Sequence, residues 1–198
     1  MREFEIVLPK RVVPQPRPRI YKGGDCSACV LAGLIGYTVE EIYSEVYEQD
    51  LDQPKPLCWP EMAKVLNRLY YKKELDRLID SIPIWPTNDA MRSFGDGFAA
   101  QGHQWFKYVT MALDAGYYGI MMYNLQGDPS QMPNHFVLVC GARVRSRKIR
   151  NKAAWEMESQ LLISCSSRRT ADKAFWVALN DLAAKHGGFN ILLARPRS

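Results

Sequence analysis

Three histidines are all the imidazole this 198-residue chain carries, and that scarcity narrows its acid–base chemistry at once. It also lacks any apolar run of the roughly 18 residues that crossing a bilayer requires, so no membrane partner is expected. Behind Met-Arg-Glu-Phe-Glu there is no hydrophobic stretch of the secretory kind, which makes a cytoplasmic protein the expectation. Five cysteines is an odd count, and a chain without a secretory segment has little reason for structural disulfides. Cys58, Cys140 and Cys165 read as buried thiols. There is no second Cys-x-x-Cys pair, so Cys26, Cys29, His135 and Cys140 make a weak zinc set. No strand of a βαβ unit leads into the one pair, which weakens a thioredoxin-like role. No metal and no other cofactor is expected. No internal repeat is visible.

What is present is globular in character. Apolar residues make up 47% and charged ones 24%, in a chain long enough for one domain with a proper core. The net charge of +5 is concentrated in two stretches. The first holds Lys10, Arg11, Arg17 and Arg19 among Pro14, Pro16 and Pro18; proline alternation forbids a helix and gives an extended arm over about residues 9–22. The second, Arg143, Arg145, Arg147, Lys148, Arg150 and Lys152, reads as a basic hairpin tip. It has no interleaved aromatics and no known nucleic-acid motif, so a solvated tip or an acidic-peptide contact is preferred to a nucleic-acid partner.

The stretch with most chemical content is Gly23-Gly24-Asp25-Cys26-Ser27-Ala28-Cys29-Val30-Leu31-Ala32-Gly33-Leu34-Ile35-Gly36. Asp25 is a good N-cap and Gly36 a good C′ residue, bounding a helix of about three turns. Cys26 then lies in the first turn, where unpaired N–H groups and the helix dipole favour a thiolate. A thiol nucleophile needs a base. His103 lies in a Gly-rich loop with Gly95, Gly97 and Gly102, and His186 sits near a helix end beside Gly187-Gly188. His135, in Pro133-Asn134-His135-Phe136-Val137-Leu138-Val139-Cys140-Gly141, opens a buried strand, and a fixed backbone at the mouth of a strand suits a general base.

The remaining pattern predicts a strand over 4–8 and a helix over 38–49 capped by Thr38. A helix starts at Trp59-Pro60 and ends near 69–73, with 75–79 continuing it or forming a further helical turn. Residues 80–104 read as a long loop or lid carrying Trp85, Phe94 and Phe98. A helix over 105–115, strands over 118–125, 135–142 and 160–165, a helix over 171–185 and a strand over 189–194 follow. Helices first and antiparallel strands after is an α+β pattern in a single domain, residues 1–198.

In its order of elements, with cysteine opening an early helix and histidine opening a later strand, the chain resembles the papain-like cysteine peptidases. Its closest likeness is to the bacteriocin-processing, double-glycine leader peptidases. Their Asp-Cys-Gly-x-Ala-Cys-Leu-Ala run is similar to Asp25-Cys26-Ser27-Ala28-Cys29-Val30-Leu31-Ala32, although the family's two cysteines stand one residue further apart. Gly36-Tyr37-Thr38-Val39-Glu40-Glu41-Ile42 and Asn134-His135-Phe136-Val137-Leu138-Val139-Cys140-Gly141 match two further family segments. The resemblance implies a papain-like fold, with N-terminal helices packed on a C-terminal antiparallel sheet. It implies a thiol-dependent peptidase acting on a peptide or protein through an acyl-enzyme. Cys26 would be the nucleophile, or Cys29 under a papain-type alignment, with His135 as base. Apart from the resemblance, aromatics on a loop beside a thiol suit a substrate groove, and Cys29, Trp85 and Asn134 are expected along it. Two positions depart from the family. Its oxyanion-hole Gln falls on Ile20, or on Gly23 counted from Cys29, and the only upstream glutamine is Gln15. Its Asp or Asn falls near 161–166, where no carboxylate or carboxamide stands, leaving Ser164 or Ser166 to accept the imidazole N–H. These departures motivate an alternative: a catalytically inactive relative that binds a peptide or a partner.

Overall fold

A strand that is apolar at consecutive positions must be covered on both faces. The first eight residues of the strand His135–Lys148 are all buried, and this demand sets the architecture. The computed structural model describes residues 3–22, 24–55, 57–80, 95–123, 135–148, 155–167, 174–186 and 191–197. Among them a seven-stranded antiparallel sheet is formed by β1 (Phe4–Val7), β2 (Leu75–Asp80), β3 (Tyr118–Tyr123), β4 (His135–Lys148), β5 (Trp155–Ser164), β6 (Phe175–Ala178) and β7 (Ile191–Pro196). The order is β2-β7-β3-β4-β5-β6, and β1 pairs with the part of β4 beyond β3, from Phe4 opposite Val144 to Val7 opposite Gly141.

Helices lie on both faces. On one, α1 (Cys26–Ile35), α2 (Val39–Glu41) with a π-helical turn (Ile42–Val46), and α3 (Trp59–Tyr71) bring Leu31, Ile42, Tyr43 and Leu66 against Ile120, Phe136, Leu138 and Leu162. On the other, α4 (Gly95–Asp114) and α5 (Leu179–His186) bring Trp105, Val109 and Leu182 against Val137, Val139, Leu161 and Ile163. Up to the bulge between Val139 and Gly141, odd and even residues of β4 therefore belong to different cores, as strand alternation requires; past it Ala142 and Val144 join the core of Val137 and Val139. The mixed α+β class stands as expected, but helices cover two faces rather than one, and strands are interspersed among them. Among the described residues, no single helix is long and apolar enough to cross a membrane.

Several expected boundaries move, each for a tertiary reason. Residues 75–79 are strand, not helix: Lys73 takes φ of 65°, the chain turns, and β2 fills the edge of β7 with Ile79 opposite Leu193. The segment 171–185 is divided: among its described residues, Phe175–Ala178 pairs with β5 and Leu179–His186 is helical. Helix α4 begins at Gly95 and takes in His103. The glycines there cost a helix about 1 kcal/mol each and are carried by the buried face formed from Trp105 onward. The Thr38 capping box is present, with Thr38 N–H donating to the Glu41 carboxylate at 2.7 Å, but the helix widens to a π turn at Ile42–Val46. The basic residues at 143–148 are not a tip but the outer half of β4. Arg143 lies against Trp176 and bonds Gln160 and Glu5, while Arg145 and Arg147 both pair with Glu158. Arginines engaged in this way leave less charge for a nucleic-acid backbone.

The arm at 9–22 has no regular structure among its described residues and crosses α1 at Gly33. There a Cβ would stand 2.0 Å from the Arg11 carbonyl oxygen, and Val13 N–H donates to the Cys29 carbonyl at 3.2 Å. Glycine is thus required by close approach rather than by backbone angle. Gly33→Ala is expected to lose about 1–3 kcal/mol of stability through overpacking, outweighing the roughly 1 kcal/mol alanine gains in a helix. A chemical-denaturation midpoint equal to or above that of the wild type contradicts this seating of the arm.

Candidate active site

The start of α1 is anchored by a buried acid. Asp25 is fully buried, and its carboxylate accepts from Ile20 N–H at 3.3 Å, Tyr21 N–H at 2.8 Å and Tyr43 hydroxyl at 3.0 Å. It makes no side-chain cap on the helix, contrary to the sequence expectation. Its backbone is not extended (φ −98°, ψ 25°), so the carboxylate ties the preceding loop and the π turn to α1 instead. The helix N–H groups are thereby left to other acceptors. At the other end Gly36 takes φ of 87° and its N–H closes on the Ala32 carbonyl, as its place in the sequence predicts.

Cys26 is the first residue of α1 and is partly exposed, whereas Cys29, one turn on, is fully buried. His135, the first residue of β4, pairs with Tyr123 across the β3 ladder and is 5% exposed. Phe136 N–H points at the Cys26 sulfur at 3.5 Å, and the His135 ring lies near enough to that same thiol to lower its pKa. The fold therefore brings together a thiol and an imidazole from segments far apart in the chain.

The ring has a further partner that sequence reasoning missed. His135 Nε2 lies 3.0 Å from Cys165 Sγ. Neither Ser164 nor Ser166 is the group at the ring, and alternation explains why. Ser164 stands opposite Leu138 and faces the α1 side, where its Oγ accepts from Val12 N–H at 3.1 Å. Ser166 is bonded to Gln15 Nε2 at 3.3 Å and to the Cys29 thiol. Cys165, between them, packs in the opposite core with Val137 and Ile163, the side to which His135 belongs by parity. The signal was in the sequence: residues 135, 137 and 139 share a face of one strand, and 161, 163 and 165 share the matching face of its neighbour. Of the other thiols, Cys140 is buried at a bulge in β4, whereas Cys58 is exposed, contrary to expectation. Trp85 and Asn134 lie outside the described residues.

Electrostatics separate the sulfurs. Burial pushes the Cys26 thiol up, but the hydrogen bond and charge of His135 and the N–H groups of Phe136 and Ser27 outweigh it, leaving the thiol below its ordinary value. Burial likewise raises Cys165, yet His135 and the Ser167 N–H and hydroxyl bring it down to about 6. Burial opposes charge on His135, but its bonds to Cys165 and Cys26 raise it to about 9. Cys29 is pushed up to about 12 by burial and by the neighbouring Asp25 and Cys26. Hence the buried Cys29 is held protonated, while Cys26, the sulfur open to approach, and Cys165 share the lowering that His135 provides. This is the division a nucleophile and a structural thiol require.

Gln15 also belongs here, although sequence spacing does not align it with the site. Its side-chain amide lies against Gly24, where an added Cβ would be 3.7 Å from Nε2, close to the start of α1. A cleft of about 200 Å3 lined by Tyr37, Glu45, Arg68, Lys72 and Glu74 shares no residue with this site. Among the described residues no group of three or more His, Cys, Asp or Glu is arranged to hold a metal ion. No family model, no curated protein and no solved structure matches the chain.

The sign of the Cys26 shift gives a direct expectation. A lowered thiol pKa raises the thiolate fraction at neutral pH, so iodoacetamide should modify Cys26 faster than a free thiol at pH 7 and leave Cys29 untouched. In His135→Ala the largest lowering influence is removed while burial and the Phe136 and Ser27 N–H groups remain, so the inflection of the rate–pH profile moves upward. Mass-spectrometric mapping of alkylation across pH checks both; an unshifted inflection in His135→Ala breaks the link between ring and thiol.

Proposed function

We propose that this chain is a thiol-dependent hydrolase, a papain-like peptidase that cleaves a peptide bond through an acyl-enzyme. One observation carries the reading: a partly exposed cysteine in the first turn of a buried helix meets the imidazole of a histidine that opens a sheet strand. The resemblance of Asp25–Ala32 and Asn134–Gly141 to the leader-peptidase segments supports the same conclusion.

The Cys26 thiolate attacks the carbonyl carbon of the scissile amide. The carbonyl π electrons move to oxygen, and the oxyanion is held by backbone N–H groups at the start of α1 with the Gln15 amide beside them. His135, as imidazolium, gives its proton to the leaving amine as the C–N bond breaks, leaving a thioester on Cys26. The neutral ring then takes a proton from water as the water oxygen attacks the thioester carbon; the C–S bond breaks, the acid product leaves, and the Cys26 thiolate and His135 imidazolium are restored. Cys29, protonated and buried, takes no part in bond making.

Cys26→Ala is expected to lower the turnover number for a cleaved peptide by about 10⁴-fold or more, as removal of a nucleophile does. Cys29→Ser should retain turnover, and Gln15→Ala should lose about 10²-fold, the usual cost of one oxyanion donor. Screening a peptide library by mass spectrometry, with a cysteine-directed activity probe alongside, reads all three. A folded wild type that neither cleaves nor takes the probe, yet retains a peptide, fits the inactive binding module instead.

A further inference from the structure

The acyl-transfer chemistry uses one face of the His135 ring and leaves its second partner without a role. Cys165 is the first residue past β5; its sulfur is fully buried, 3.0 Å from His135 Nε2, and accepts the Ser167 N–H at 3.5 Å. It packs with Val137, Val139 and Ile163, so substrate approaching the partly exposed Cys26 cannot reach it directly. Among the described residues, the ring meets the sulfur of Cys165 at 3.0 Å and is acted on by that of Cys26; no carboxylate or carboxamide is a partner.

We propose that Cys165 is the positioning residue of the site: its sulfur accepts the Nε2–H bond and thereby fixes the tautomer and plane of the ring, leaving Nδ1 to serve Cys26. The inference rests on Cys26 and His135 being the reacting pair. A ring held at one nitrogen cannot turn that nitrogen to the nucleophile, which is the function an orienting group performs in a triad. Sulfur adds something a carboxamide lacks, because a thiol can become an anion. One imidazolium compensates one thiolate at a time. Before attack that thiolate is shared between Cys26 and Cys165. Once Cys26 is acylated it carries no charge, and Cys165 is then the anion that steadies any proton remaining on the ring. The other ionisable groups nearby, Asp25, Cys29, Tyr43 and Tyr47, gather around Cys26 rather than around this nitrogen. Cys165 thus acts on the reaction only through His135.

Imidazole NMR across pH tests this without any substrate. The full chain would be labelled with ¹⁵N-histidine and compared as wild type, Cys165→Ala, Cys165→Ser and Cys165→Asn, each also in a Cys26→Ala background. In the wild type the Nε2–H tautomer dominates when the ring is neutral, and titration lies well above the ordinary imidazole value of 6.5. Cys165→Ala is expected to mix the tautomers and bring the titration down. Cys165→Asn restores the tautomer, through a neutral acceptor, without restoring the raised titration. In parallel, Cys26 alkylation at pH 7 should fall about tenfold or more in Cys165→Ala, on the pattern of lost orienting groups, and recover at least partly in Cys165→Asn.

Unchanged imidazole signals in a Cys165→Ala protein with native near-UV circular dichroism overturn the proposal and leave Cys165 a packed core thiol. If that variant does not fold, Cys165→Ser carries the comparison, since a hydroxyl keeps the acceptor and removes the anion; an unaltered titration there overturns it equally. If the ring responds as expected while wild-type Cys26 reacts no faster than a free thiol, the positioning role stands and the hydrolase reading falls.

Discussion

An imidazole lodged between two sulfurs at the open end of β4 is the contact on which the rest of this molecule bears. His135 is almost wholly buried, and so are Cys165 beside it and Asp25 at the start of α1. Ionisable groups in such a place are expensive unless paired. Pairing is what the surroundings supply: two thiols for the ring, and three donors for the aspartate. The same low polarity that makes an unpaired charge costly strengthens each of these bonds, so the site and the core around it are held together by one set of interactions.

Helix α1 is held from several sides at once. Asp25 fixes its start to the loop and to Tyr43 on the π turn, the arm at 9–22 crosses it at Gly33, and its apolar residues pack on β4. Consequently the position of Cys26 is set by elements far from it in sequence, and reactivity and stability are coupled there. The arm is part of this arrangement: Val12 reaches Ser164 and Gln15 reaches Ser166, the two serines flanking Cys165. A segment that reads as a surface appendage is a structural wall of the site. At the opposite end of β4 the basic residues are matched by Glu5 and Glu158, exposed pairs worth little energetically but enough to engage the arginines.

Much of this was legible in the chain. The α+β class, the limits of α1, the Thr38 cap, the Trp59–Tyr71 helix and the β3–β4 pairing follow from local periodicity and from cap or turn residues, which act over a few positions. Cys26 and His135 could be singled out for the same reason: one opens a small-residue helix and the other a buried strand. What failed was whatever depended on a distant edge. Leu75–Asp80 and Phe175–Ala178 are strands because β7 and β5 offered unpaired edges, and nothing within either hexamer or tetramer announces that.

The third group at the ring marks the division most sharply. Composition and order by themselves determined that a thiol and an imidazole were available, where each sat on its own element, and which residues of each strand would share a face. Only the tertiary structure decided that Cys165, not the hydroxyl on either side of it, meets His135. That choice depends on the register in which β5 lies against β4: Ser164 falls opposite Leu138, and one residue of slippage would have sent the sulfur into the other core. Register is settled by the packing of both sheet faces together, a sum over contacts between distant residues that no local pattern contains.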